Sequence, residues 1–122
     1  MISMNCVEKG RRGEDLAAVF LLDRGYQILQ RNWRMKTGEI DIIAQRSGEL
    51  VFCEVKSRSS LCHGSGAEAV NVPKQQRIIR TALLYMQCFH LSNYPCRFDV
   101  IEILMGSADQ PSIHHIPNAF GS

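Results

Sequence analysis

The residues best suited to chemistry lie in two short runs separated by a turn. The first is Gly38-Glu39-Ile40-Asp41-Ile42-Ile43-Ala44, the second is Val51-Phe52-Cys53-Glu54-Val55-Lys56, and Ser47-Gly48 stands between them. Both runs are rich in β-branched residues, and a Ser-Gly pair between such runs signals a β-hairpin. A turn centred between Ser47 and Gly48 sets Asp41 directly opposite Glu54, where cross-strand Cβ atoms lie roughly 4.5–5.5 Å apart. Alternation puts Lys56 on the face of Glu54. The polar set on that face is then Glu39, Asp41, Glu54 and Lys56. A register slip of one residue would part the two acids.

Two carboxylates facing each other repel and weaken a hairpin unless positive charge compensates. Two arrangements meet that need. In one, Lys56 neutralises an exposed strand face, with Glu39 as its direct partner. In the other, a divalent cation does so, and hard oxygen donors at this spacing suit Mg²⁺ or Mn²⁺, which keep several waters and bridge to a phosphate. The residues alone leave both open.

The elements that must position these groups follow from periodicity and stop signals. A helix is expected from about Glu8 to Arg24, with Leu16, Val19, Phe20 and Asp23 at three-and-four spacing and Gly25 as its stop. Strands are expected over Tyr26–Arg34, Glu39–Arg46 and Glu49–Arg58, followed by a flexible Ser- and Gly-rich loop over Ser59–Gly66. Asn71 and Pro73 open a second helix running to about Leu91, whose apolar face is Ile78, Ile79, Ala82, Leu83, Met86 and Phe89. Two further strands, Arg97–Leu104 and Ile113–Ile116, flank a Gly106–Pro111 turn. This order predicts a mixed sheet covered by helices, an α/β layer architecture.

A chain of 122 residues with 45% hydrophobic and 21% charged residues fits one soluble domain spanning residues 1–122. No stretch approaches the ~20 apolar residues that span a bilayer, and Met1 to Lys9 lack the apolar run of a signal peptide. A cytoplasmic protein without membrane contact is therefore expected. The five cysteines, at 6, 53, 62, 88 and 96, contain no CxxC pair, so neither a disulfide framework nor a structural zinc is expected. The adjacent His114 and His115 point to opposite faces of a strand. The net charge of +2 says little by itself. Its basic groups recur as Lys9, Arg11, Arg12, then Arg31, Arg34, Lys36, then Lys56, Arg58, then Lys74, Arg77, Arg80. They read either as a solvated surface or as a groove for a polyanion.

Asp41 followed by Glu54-Val55-Lys56 across a hairpin resembles the PD-(D/E)xK nuclease signature, with Ile40 in place of the proline. The wider set is Arg12-Gly13-Glu14, Gly38 to Ala44, Glu54-Val55-Lys56, Arg58, Ala69-Val70, Lys74-Gln75 and Arg97-Phe98-Asp99-Val100. It resembles the bacterial YraN family, also called UPF0102, which is similar to archaeal Holliday-junction resolvases. The resemblance implies a restriction-endonuclease-like mixed β-sheet flanked by helices and a Mg²⁺- or Mn²⁺-dependent endonuclease. Asp41 and Glu54 would ligate the metal, and Glu14 would add a further ligand or hold a water. Lys56 would orient the attacking water or stabilise phosphate charge, and Gln75 would support the site from the second helix. Arg34, Arg58, Lys74 and Arg77 would form the nucleic-acid surface, with DNA, branched DNA included, as substrate and a homodimer as the assembly. A catalytically inactive nucleic-acid-binding module of the same fold is the alternative. Asp99 reads equally as a structural partner of a basic residue.

Overall fold

The computed structural model describes residues 6–58, 70–104 and 111–121. The element order is α1 (Cys6–Asp23), β1 (Gln27–Met35), β2 (Gly38–Arg46), β3 (Glu49–Arg58), α2 (Val72–Cys88), β4 (Cys96–Leu104) and β5 (Ser112–Phe120). The five strands form one sheet in sequence order, antiparallel throughout except for the parallel β3–β4 pair that α2 connects. This mixed sheet with two helices is an α/β fold consistent with a restriction-endonuclease-like domain. No helix among the described residues is long and apolar enough to cross a membrane. The expected Ser59–Gly66 loop and most of the Gly106–Pro111 turn lie outside the described residues.

Each helix covers one face of the sheet. Ile78, Ala82, Tyr85 and Met86 of α2 pack on Ile40, Ile43, Leu50, Phe52, Phe98 and Val100. Ala17, Ala18 and Leu21 of α1 pack on Ile42, Ala44, Val51, Cys53, Ile101 and Ile103. Small residues let α1 approach closely. A Cβ built on Gly13 would stand 1.8 Å from Ser57 Oγ and 3.2 Å from Ser57 Cβ, so a side chain there would force Ser57 or the helix to shift.

The observed faces differ from the periodic expectation at several positions. Val19 and Asp23 of α1 face solvent, because Ala17, Ala18 and Leu21 make the contact. On α2 the inward residues include Thr81 and Tyr85, whereas Leu83 is 55% exposed. The helix ends at Cys88 and not near Leu91, with Phe89 as its cap and His90 at φ 57. The last strand continues to Phe120 through Pro117, which an edge strand tolerates because its outer backbone needs no partner.

Asp99 explains how that last strand is held. It is fully buried on the α1 face, where Arg97 Nε donates to Oδ1 at 3.0 Å and His115 Nε2 lies 2.6 Å from Oδ2. The Asn118 N–H donates to Oδ1 at 2.9 Å, beside the register shift between Phe98 and Val100. Burial pushes the Asp99 carboxyl up, but bonds from His115, Arg97 and Asn118 outweigh it and hold it below the usual range. Its reading as the structural partner of a basic residue thus matches the contacts. Asp99→Ala should cost about 3–5 kcal/mol, since it removes the buried carboxylate that His115, Arg97 and the Asn118 N–H all bond and leaves Arg97 with Glu49 as its remaining acid. Urea unfolding measures this, and a loss below ~1 kcal/mol would contradict the anchoring role.

Candidate functional site

The β2–β3 hairpin turns at Ser47 and Gly48, both at positive φ (54° and 79°), as a two-residue hairpin of this twist requires. The ladder runs from Arg46↔Glu49 to Ile42↔Cys53. One further step of that register sets Asp41 opposite Glu54, as the Ser47-Gly48 turn implies. Backbone pairing stops there for a visible reason. Ile42 belongs to the α1-side core and Ile40 to the α2-side core, although strand alternation would keep them on one face. The neighbouring strand switches faces at the same level. Arg31 pairs with Ile42 and bonds Asp15 of α1, Trp33 pairs with Ile40 in the α2-side core, and Asn32 between them has φ 53.

Asp41 occupies the point of rotation. The Val55 N–H donates to its Oδ2 at 2.8 Å, so a side chain replaces the missing ladder bond. Burial first, then the nearby Glu54, push the Asp41 carboxyl up to about 7, and Glu14 and Glu39 add to the push. Glu54 is buried, with its side chain only 6% exposed. Lys74 Nζ lies 2.7 Å from its Oε1 and Lys56 Nζ lies 3.5 Å from the same oxygen. Burial and the adjacent Lys74 lower the Lys56 ammonium against the pull of Glu54. Lys74 is raised, because its bonds to Glu54 and Lys56 outweigh its own burial. The partner of Lys56 is thus Glu54, and Glu39 instead lies 3.4 Å from Arg34 Nε.

A cavity of about 360 Å³ opens over these groups, lined by Lys36, Thr37, Gly38, Glu39, Asp41, Glu54, Lys74, Arg77 and Ile78. Its wall is the β1–β2 turn clamped onto α2. Thr37 Oγ1 lies 2.8 Å from Thr81 Oγ1, which donates to the Arg77 carbonyl. Gly38, at φ 153, permits this contact, since a Cβ there would come within 3.2 Å of Thr81 Oγ1.

The expected site residues therefore separate. Asp41, Glu54, Lys56, Lys74 and Arg77 come together. Glu14 stands on α1, hydrogen-bonded to Asn32 and pushed up mainly by burial, and its charge reaches Asp41 without lining the cavity. Gln75 does not reach the acids: its Nε2 donates to the Val70 carbonyl at 2.8 Å and fixes the entry to α2. Arg58 is 14% exposed beside Glu102, so its position is sheltered and not at the rim, while Arg34 is 76% exposed. Among the described residues, no three His, Cys, Asp or Glu side chains form a ready-made metal cage. Thr37 lines the cavity and is held from α2 by Thr81, two residues that strand patterning missed, and Lys36, expected only as one of the basic groups, lines it too.

A family model described as "Uncharacterised protein family UPF0102" matches residues 13–103. A UPF0102 protein of Clostridioides difficile is 46% identical over 117 residues, covering 96% of this chain and 100% of that relative. UPF0102 proteins of Rhodococcus jostii and Symbiobacterium thermophilum are 45% and 46% identical over 111 residues, each covering 91% of this chain and 94% of the relative.

The raised Asp41 carboxyl has a stability consequence with a definite sign. Its folded pKa lies above the ordinary 3.8, so the folded state binds the proton more tightly than the unfolded one. The group costs nothing at pH below ~4, its penalty grows as pH rises to about 7, and it is complete above that. Asp41→Asn keeps an oxygen for the Val55 N–H and removes the charge. After discounting for the open side of the cavity, it should gain on the order of 1 kcal/mol at about pH 8, or ~3–6 °C in Tm. The gain should shrink at about pH 5. Melting curves at both pH values test this, and an equal gain at both would refute it.

Proposed function

The chain belongs to the UPF0102 family, and on that footing we propose that it is a metal-dependent endonuclease hydrolysing phosphodiester bonds in DNA, branched DNA included. The observation that carries this reading is the pair Asp41 and Glu54 at one cavity, with two ammonium groups within ion-pair reach of Glu54. The donor set suits a hard divalent cation. Asp41 commits one oxygen to Val55 N–H, and burial and the neighbouring Glu54 push its carboxyl up to about 7, so a cation there would be favoured. Asp41 and Glu54 would hold Mg²⁺ or Mn²⁺, and Glu14 would add a ligand or hold a water from the α1 side. Bound there, the ion would supply charge neutralisation and a water of lowered pKa.

The chain's own residues supply the rest. Lys56, on a central strand, orients the attacking water or stabilises charge developing on the phosphate. Lys36 and Arg77, exposed at the cavity, and Arg34 beside it hold the anionic backbone. Arg58 contributes less directly, because its side chain lies largely covered beside Glu102. A homodimer is part of the same proposal, as in resolvases of similar fold.

Asp41→Asn should weaken Mn²⁺ binding and abolish cleavage, since it removes an anionic ligand. Lys56→Ala should preserve or improve Mn²⁺ binding while cleavage falls about a hundredfold or more. Calorimetric titration and a panel of labelled linear, flapped and four-way DNA substrates provide the readouts. Tight binding without cleavage under either metal would favour the inactive module of the same fold. Absence of both metal and nucleic-acid binding would end both readings.

Phosphate contacts also set the salt response. Log affinity should fall steeply with log salt, and Arg77→Ala should reduce that slope by about one, the share of one phosphate contact on duplex DNA. An affinity unchanged by salt would rule out this surface.

A further inference from the structure

Two ammonium groups converge on one oxygen of a buried carboxylate. Lys56 and Glu54 lie on the same strand, and their contact is 3.5 Å. The shorter contact, 2.7 Å, comes from Lys74 on a different element. That second cation has a fixed root and an open tip. Asn71 caps α2 by accepting the Lys74 N–H at 2.9 Å, Pro73 follows the cap, and Gln75 Nε2 holds the Val70 carbonyl. The Lys74 side chain is 34% exposed and lines the cavity. A flexible four-carbon stem ending in a compact charge can swing away without moving the helix. Lys56 stands on β3, whose backbone is paired with β4 at that level.

We propose that the Lys74 ammonium is a place-holder, occupying the cation position at Glu54 while no divalent ion is bound and leaving when one enters. This rests on the reading of Asp41 and Glu54 as the metal-binding pair. The reasoning is electrostatic. A buried carboxylate without a counter-charge is costly, so the metal-free protein needs a resident cation. An ammonium in contact with that oxygen also repels an arriving divalent ion. A lysine rooted at a helix start and free at its tip meets both conditions. Lys56, whose side chain is less exposed and does not line the cavity, stays beside Glu54.

The test is Mn²⁺ affinity, read by electron paramagnetic resonance on the full chain. It compares wild type with Lys74→Met, Lys74→Gln, Lys56→Met and the metal-site control Asp41→Asn. Both Lys74 variants should bind Mn²⁺ about tenfold or more tightly than wild type, because no ammonium must be displaced. Lys56→Met should gain less. Unchanged or weaker binding in both Lys74 variants, with Asp41→Asn still reducing affinity, overturns the place-holder and leaves the metal reading standing. No Mn²⁺ binding by wild type or by either Lys74 variant removes both. Should the Lys74 variants melt too readily to titrate, the wild type decides through ¹H–¹⁵N spectra of its lysine ammonium groups. The Lys74 signal, protected by Glu54, should vanish into solvent exchange on saturation with Mg²⁺. A signal that persists overturns the proposal.

Discussion

The site depends on a rotation in β2. Ile42 and Ala44 must reach the α1-side core while Ile40 must reach the α2-side core. No regular strand does both, so the chain turns at Asp41 and the neighbouring strand turns with it at Asn32. The β2–β3 ladder stops at that point while β1 stays paired with β2, and a buried N–H without a partner is costly. The Asp41 carboxylate meets that need by accepting from Val55. The same bond ties Asp41 to β3 immediately beside Glu54. The acid pair is thus a by-product of how two cores share one strand.

Bringing the acids together creates a deficit of positive charge that no single element supplies. Lys56 comes from β3 and Lys74 from α2, and their opposite shifts record the balance. Lys56 is burdened by burial and by its ammonium neighbour, whereas Lys74 gains more from Glu54, Lys56 and Asp41 together than burial removes. The clamp of Thr37 on Thr81 holds the β1–β2 turn against α2 and so fixes the other cavity wall. Elements distant in sequence therefore meet around one carboxylate, and the cap at Asn71 sets where Lys74 begins.

Much of this was legible without coordinates, because the informative features are local. Ser47-Gly48 specifies the hairpin register, and alternation then places Asp41, Glu54 and Lys56. The illegible parts depend on packing between elements. Nothing in a strand pattern indicates that Lys74 will stand on Glu54, since that requires the docked position of α2. Leu83 looks like core by periodicity, but Thr81 and Tyr85 turn inward because the partner surface is the β1–β2 turn and an aromatic cluster. Arg58 looks like surface charge, and only its sheltered place beside Glu102 shows otherwise. Nothing local indicates either that Gln75 Nε2 will hold the Val70 carbonyl at the entry to α2.

Two aspartates buried in the same sheet end in opposite electrostatic states. Asp99 and Asp41 are both buried on strands, and burial pushes both carboxyls up. They end on opposite sides of the ordinary value. Asp99 receives bonds from a guanidinium, an imidazole and a backbone N–H, which together exceed the cost of burial. Asp41 receives one backbone N–H and faces three further carboxylates, Glu54, Glu14 and Glu39. This fold can therefore satisfy a buried aspartate fully where stability is the only demand. At Asp41 it does not, and the unmet lone pairs open onto a cavity rimmed with cations. An acid left unsatisfied beside another acid is destabilising on its own, and the divalent cation proposed for this cavity would relieve that shortfall of positive charge.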